Sequence, residues 1–169
     1  MKRRILMILL LMAGALLQQM LPGSPLFGGL KPPLLACMVL HYALRRDNRD
    51  MWLVVFSAAI LHDGLNLGTF GPALLAFPAI GHLANRIRSE VFADGLVSQL
   101  IFGAATGLFT TLVTLLVYSV TGQRPAPFGL TLLRLFGAIW LGAATLPLVS
   151  LAINKLEAAL PKRRSYGWQ

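Results

Sequence analysis

Long apolar runs separated by short polar turns dominate this chain. They cover Ile5–Leu21, Leu26–Leu44, Met51–Leu67, Phe70–Ala84, Gly95–Val120 and Leu130–Ile153. An apolar run of about 18 or more residues reads as a membrane-crossing helix, because lipid offers no partner to bare backbone groups. The pattern predicts an all-α integral membrane protein: six transmembrane helices in one polytopic domain over residues 1–169.

Two places strain that pattern. Met51–Ala84 must hold two helices and a turn, which leaves about 15 residues, or about 23 Å, per helix. A hydrocarbon core is about 30 Å thick, so this hairpin is expected to be sunk in the bilayer or to thin it locally. The second run is interrupted by Lys31-Pro32-Pro33. Tandem proline suits a helix start, yet Pro33–Leu44 alone is too short to cross. Either Leu26–Leu30 forms a broken first part, or the region dips into the membrane; such backbone must be shielded by protein or face a cavity.

The cations assign a direction. Of 15 Lys and Arg residues, twelve fall at the termini and in the even-numbered connections: Lys2, Arg3, Arg4, Arg45, Arg46, Arg49, Arg86, Arg88, Lys155, Lys162, Arg163 and Arg164. Only Lys31, Arg124 and Arg134 fall at the other ends of the runs. The positive-inside bias then predicts that both termini lie in the cytoplasm. Arg45–Asp50 and Asn85–Asp94 are expected inside, Gly23–Lys31 and Thr121–Gly129 outside. With 56% hydrophobic and 12% charged residues, there is too little polar surface to cover a soluble globule. The net charge of +9 sits in short clusters beside apolar runs, where topology and anionic headgroups account for it without nucleic acid. The first run follows a Lys-Arg-Arg start and contains Ala13-Gly14-Ala15, as a signal peptide would. Apolar sequence continues past that point, and cleavage would spoil the charge parity, so an uncleaved first span is expected.

Candidate chemistry is sparse. Asp63 is the one acid away from the cytoplasmic side, about 20 Å along the third helix from Asp50 by helical rise. An intramembrane carboxylate is a functional candidate by default. The alternative, which Gly64, Asn66 and Gly68 favour, is that Asp63 ends the third helix and organises the turn through Asn66–Gly68. That role predicts a tolerated Asp63→Asn, since an amide keeps one acceptor. His41 and His82 belong near cytoplasmic helix ends and His62 in the outer half, too dispersed for a metal site of three or four converging ligands. His62 and Asp63 are helix neighbours pointing about 100° apart, which does not make a catalytic dyad. Asp63, His62 and Asn66 therefore stand as a candidate polar site, structural or functional. Gly103-Ala-Ala-Thr-Gly107, followed by Thr110 and Thr114, makes a small-residue stripe for close helix packing. It serves either this bundle or a membrane partner. Cys37, the single cysteine, reads as a buried small apolar residue. With no Gly-x-x-x-x-Gly-Lys-[Ser/Thr] loop, Gly-x-Ser-x-Gly elbow or paired acid and base, neither an enzyme nor a cofactor is expected.

The middle of the chain resembles the bacterial rod-shape-determining membrane proteins of the MreD family. The likeness begins with Lys31-Pro32-Pro33-Leu34-Leu35 and a span ending His41-Tyr42-Ala43-Leu44. It continues with Ala59-Ile60-Leu61-His62-Asp63, Gly71 eight residues later, Ala73-Leu74-Leu75, and the basic end Arg86-Ile87-Arg88. Pro147 and the basic tail also fit, whereas Ala59, Phe70 and Pro72 depart from the family pattern. The resemblance implies a non-enzymatic scaffold of lateral peptidoglycan synthesis in the bacterial inner membrane. It also implies as partners a bitopic MreC-like protein, actin-like MreB, RodA and a class B penicillin-binding protein. The implied fold is that of the substrate-binding subunits of energy-coupling-factor vitamin transporters. This supplies a second expectation, a transporter subunit, because fold does not fix function. Against it, the first run lacks the Ala-x-x-x-Ala step of those subunits, and the outer connections are poor in polar and aromatic groups.

Overall fold

The computed structural model describes residues 2–66, 71–88, 95–122 and 127–158. Six α-helices occupy these residues, with no strand among them: α1 (Lys2–Met20), α2 (Leu34–Arg45), α3 (Asn48–Leu65), α4 (Pro72–Ile87), α5 (Leu96–Val120) and α6 (Phe128–Ala158). Each falls within or over one apolar run of the sequence. Leu67, Gly68 and Phe70, the Ser89–Asp94 part of the second basic connection, Arg124, and the tail cations Lys162, Arg163 and Arg164 lie outside the described residues.

The second run is not one helix. Pro25–Phe27 makes a single 3-10 turn, and the α-helix begins only at Leu34. Between them the chain folds on itself: Ser24 N–H donates to Leu30 O at 2.8 Å and Gly29 N–H to Ser24 O at 2.9 Å. Gly28 and Gly29 have φ of 64° and 80°, a region open to glycine at little cost. Of the two alternatives expected from the sequence, the broken first part is the one seen, as a loop that pairs part of its own backbone. Phe27 seats it on α6, where a side chain at Gly137 would collide with the Phe27 ring.

At 12 residues α2 spans only about 18 Å, and its position explains why that suffices. It contacts all five other helices. Leu35 to Ala43 are all buried, among them Cys37, His41 and Tyr42. A helix apolar on every side is a core element. Met7 and Leu11 of α1, Val54 and Ala58 of α3, Phe77 of α4 and Leu146 of α6 complete the same core.

Hydrogen bonds at both ends fix the helix directions. Arg4 Nε donates to Asp50 at 2.8 Å, and Gln19 Nε2 donates to Leu65 O at 2.7 Å, so α1 and α3 run parallel. The end of α2 meets the end of α6: Arg45 donates to Asn154 at 2.5 Å, and Arg46 pairs with Glu157. Arg88, just beyond α4, donates to Arg46 O at 2.7 Å. One end of the bundle therefore holds Arg4, Arg45, Arg46, Arg88 and Glu157 (the basic end). The other holds the α1–α2 loop, the end of α3 and the starts of α4 and α6 (the loop end).

Two helices, α5 and α6, are long and apolar enough to cross a membrane. They are also each other's main neighbours. A Cβ at Gly103 would strike the Gly142 carbonyl, one at Gly107 the Ala138 carbonyl, and one at Gly142 the Gly103 carbonyl. The Gly-x-x-x-Gly stripe thus brings α6 against α5 within this chain. Elsewhere on α5 many apolar side chains, including Ile101, Phe109 and Leu116, are exposed.

Candidate functional site

Helices α2 and α4 begin in ways that leave first-turn N–H groups short of local acceptors, although Leu34 N–H finds Pro32 O at 2.9 Å. The residue before α2 is Pro33 and the residue before α4 is Gly71, and neither caps its helix with a side chain. Four N–H groups at a helix start have no intrahelical partner, and leaving them bare in an apolar interior is costly. Each start is capped instead from the preceding helix. Gln18 Oε1 accepts the Leu35 N–H at 3.0 Å. Asp63, 4% exposed, accepts from Gly71 N–H at 3.0 Å, Ala73 N–H at 3.1 Å and Leu74 N–H at 3.2 Å.

This arrangement gives Asp63 a definite role. Its carboxylate stands where an N-cap side chain would, at the positive end of α4. Gly71, with φ of 132°, makes the turn that aims those N–H groups back at α3. The acceptor role expected for Asp63 is seen at the start of α4, where Gly71, Ala73 and Leu74 are its donors, while Leu67 and Gly68 of the expected turn lie outside the described residues. Both carboxylate oxygens are engaged, which alters the expectation for Asp63→Asn.

His62 and Asn66 sit beside this cap. His62 Nδ1 lies 3.4 Å from Asp63 Oδ1, and its ring meets the edge of Phe77 at 5.5 Å between centroids. The neighbours are closer than the 100° helical offset suggests. Yet Asp63 already holds three backbone donors. Asn66 Nδ2 donates to His62 O at 2.9 Å, closing the end of α3. His41 is buried in α2. Among the described residues no three of His, Cys, Asp and Glu come together to hold a metal ion.

Above these caps the loop end forms a half-open cavity of about 320 Å³. Its apolar wall is Ala36, Ala73, Ala76 and Phe77; its polar lining includes Gln18, Lys31, His62, Asn66, Thr110, Thr114, Tyr118 and Arg134. Thr110 and Thr114, at the far end of the small-residue stripe, face this space. Their hydroxyls donate to their own helix, Thr110 to Thr106 O at 2.9 Å and Thr114 to Thr110 O at 2.8 Å. Lys31 Nζ donates to Gln19 O at 3.1 Å and Gln19 Oε1 at 3.0 Å. Arg134 Nε donates to Gly28 O at 3.2 Å, tying α6 to the loop. Neither the roles of Gln18 and Gln19 nor the place of Lys31 and Arg134 on one cavity was evident from the sequence. Two adjacent glutamines inside an apolar run were the available signal, since such groups in lipid need partners.

Fold and site together define an all-helical bundle with a capped helix hairpin and a cation-lined cavity at one end. Compared with protein-family models, curated proteins and solved structures, the chain matches none.

Proposed function

We propose that this protein is a six-span, inner-membrane scaffold of the bacterial cell-elongation machinery, of the MreD kind, acting by holding partners and without catalysis. The observation that carries the reading is the Asp63–Gly71 contact. Two of the positions that carry the resemblance, eight residues apart, form one device: a glycine turn whose N–H groups are collected by the preceding aspartate. A shared Asp and Gly with that spacing has a physical reason to persist in a common hairpin. Further support comes from the apolar side chains exposed on α1, α5 and α6, which suit lipid or a partner's membrane helix far better than water. The gathering of described cations at the basic end agrees with both termini lying in the cytoplasm.

The expected partners are a single-span MreC-like protein, actin-like MreB, and RodA with its class B penicillin-binding protein. Extraction of the tagged protein in mild detergent from a rod-shaped host is expected to retain the single-span partner in native mass spectrometry. Depletion is expected to make the cells round. Normal rods after depletion, with no single-span partner retained, would falsify the scaffold reading. The cavity at the loop end favours a second reading, the substrate-binding subunit of an energy-coupling-factor transporter. Under that reading, substrate uptake appears when the ATPase module is supplied, and cell shape is unaffected.

A further inference from the structure

Charge balance differs between the two ends of the bundle. At the basic end Arg4 has Asp50 and Arg46 has Glu157 within ion-pair distance. At the loop end Lys31 and Arg134 are half-buried, both line the cavity, and among the described residues neither has a carboxylate partner. Among the described residues that line the cavity none is acidic. Asp63 lies beneath it, with its oxygens committed to Gly71, Ala73 and Leu74. Cations partly withdrawn from water without a counter-charge are costly, and more so at the depth of a membrane interface.

The donors left over fit an oxyanion. Lys31 uses two of three ammonium protons on Gln19. Among the described residues Arg134 uses only Nε, on Gly28, which leaves the N–H groups of its two terminal nitrogens for a bidentate contact. A cation is repelled by this pair, and a neutral ligand leaves the charges uncompensated. The wall of Ala36, Ala73, Ala76 and Phe77 accepts a short aliphatic body beside the charged head. At about 320 Å³ the space is at the small end of ligand pockets, which run from about 300 to 1,000 Å³.

We propose that the loop-end cavity binds a phosphate-type oxyanion, as a lipid headgroup or as a free anion, between Lys31 and Arg134. This goes beyond the scaffold reading, which needs no ligand, and its test reads binding alone, apart from cell shape or uptake.

The test uses the full chain, delipidated in a neutral detergent, and three probes: phosphatidylglycerol, phosphatidylcholine and inorganic phosphate. Native mass spectrometry and thermal shift are expected to show one saturable equivalent of phosphatidylglycerol in preference to phosphatidylcholine. Saturation by inorganic phosphate as well identifies the free anion as sufficient; phosphatidylglycerol alone identifies the headgroup as the source. Lys31→Gln and Arg134→Gln are each expected to weaken binding about ten- to a hundredfold, the loss of one charge-assisted contact. Arg49→Gln, an exposed cation at the basic end, is expected to leave it unchanged. Arg134 also anchors the Gly28 loop, so if Arg134→Gln does not fold, Lys31→Gln and the wild-type titration decide the matter. No saturable binding of phosphatidylglycerol or phosphate by the wild type overturns the proposal. So does equal loss in the Arg49→Gln control.

Discussion

Asp63 shows how much depends on where a single carboxylate points. Read as a turn residue it needs one acceptor, and an amide would serve. In the fold it needs two: Oδ2 takes Gly71 and Leu74, and Oδ1 takes Ala73. Asp63→Asn places an NH2 group against a backbone donor whichever way the amide is turned. The expected cost is about 1–3 kcal/mol, the desolvation penalty of a buried donor left unpaired. Asp63→Leu, which leaves all three donors bare, is expected to cost more and to lower the amount of extractable folded protein. Thermal melts of the detergent-solubilised variants measure both. An Asp63→Asn protein that melts with the wild type would show that the second oxygen is dispensable, and the capping account would fail. That Asp63 matters was legible in the sequence, since an acid deep in an apolar run demands a partner. That its partners are the first N–H groups of α4 was not, because Gly64, Asn66 and Gly68 advertise a nearer turn.

The helices themselves were largely written in the apolar pattern, and the departures have definite causes. Leu26–Leu30 is as apolar as any helix here, yet Pro25, Gly28 and Gly29 set it into a loop. Pro33 supplies neither an N–H nor a side-chain cap, so α2 begins only where Gln18 reaches it. A side chain acting from another element marks its own position as polar but not its target, which is why the partners of both caps escaped notice. The small-residue stripe on α5 was legible as a close-packing face, whereas its occupant was not, since Gly-x-x-x-Gly records only that something approaches. Here it is α6, with Gly142 and Ala138 at the crossing. Gly107→Leu is therefore expected to force the pair apart and to cost about 1–3 kcal/mol or more, as overpacking does. Thr114→Val, whose hydroxyl bonds only its own helix, is expected to change stability by no more than about 0.5 kcal/mol. The two melts form the comparison. A tolerated Gly107→Leu means that α5 and α6 separate freely, and the stripe is then open to a partner from outside.

At the scale of the whole molecule, the distribution of charge and the lengths of the helices bear on the same question. α2 and α4, at about 18 and 24 Å by helical rise, are shorter than a hydrocarbon core of about 30 Å. α5 and α6, at about 38 and 46 Å, exceed it. A bundle of such unequal members sits in a bilayer only if the short helices are shielded by the long ones or by loops. α2 meets that condition through burial on every side. In the proposed six-span arrangement the loop end would lie partly below the headgroups, with Lys31 and Arg134 as its described cations, while the basic end carries the remainder of them. The proposed orientation puts the basic end in the cytoplasm, by the positive-inside rule. Single cysteines at Ser24, in the loop, and at exposed Asn48, at the start of α3, test it in intact cells with a membrane-impermeant thiol reagent. Cys37 is fully buried and supplies a silent background. Ser24→Cys is expected to react from outside, and Asn48→Cys only after the cells are opened. The reverse result would put the cavity in the cytoplasm, where outer-leaflet lipid cannot reach it. Reaction at both positions in intact cells would place the two ends on one side of the membrane, and the six-span arrangement would be lost with it.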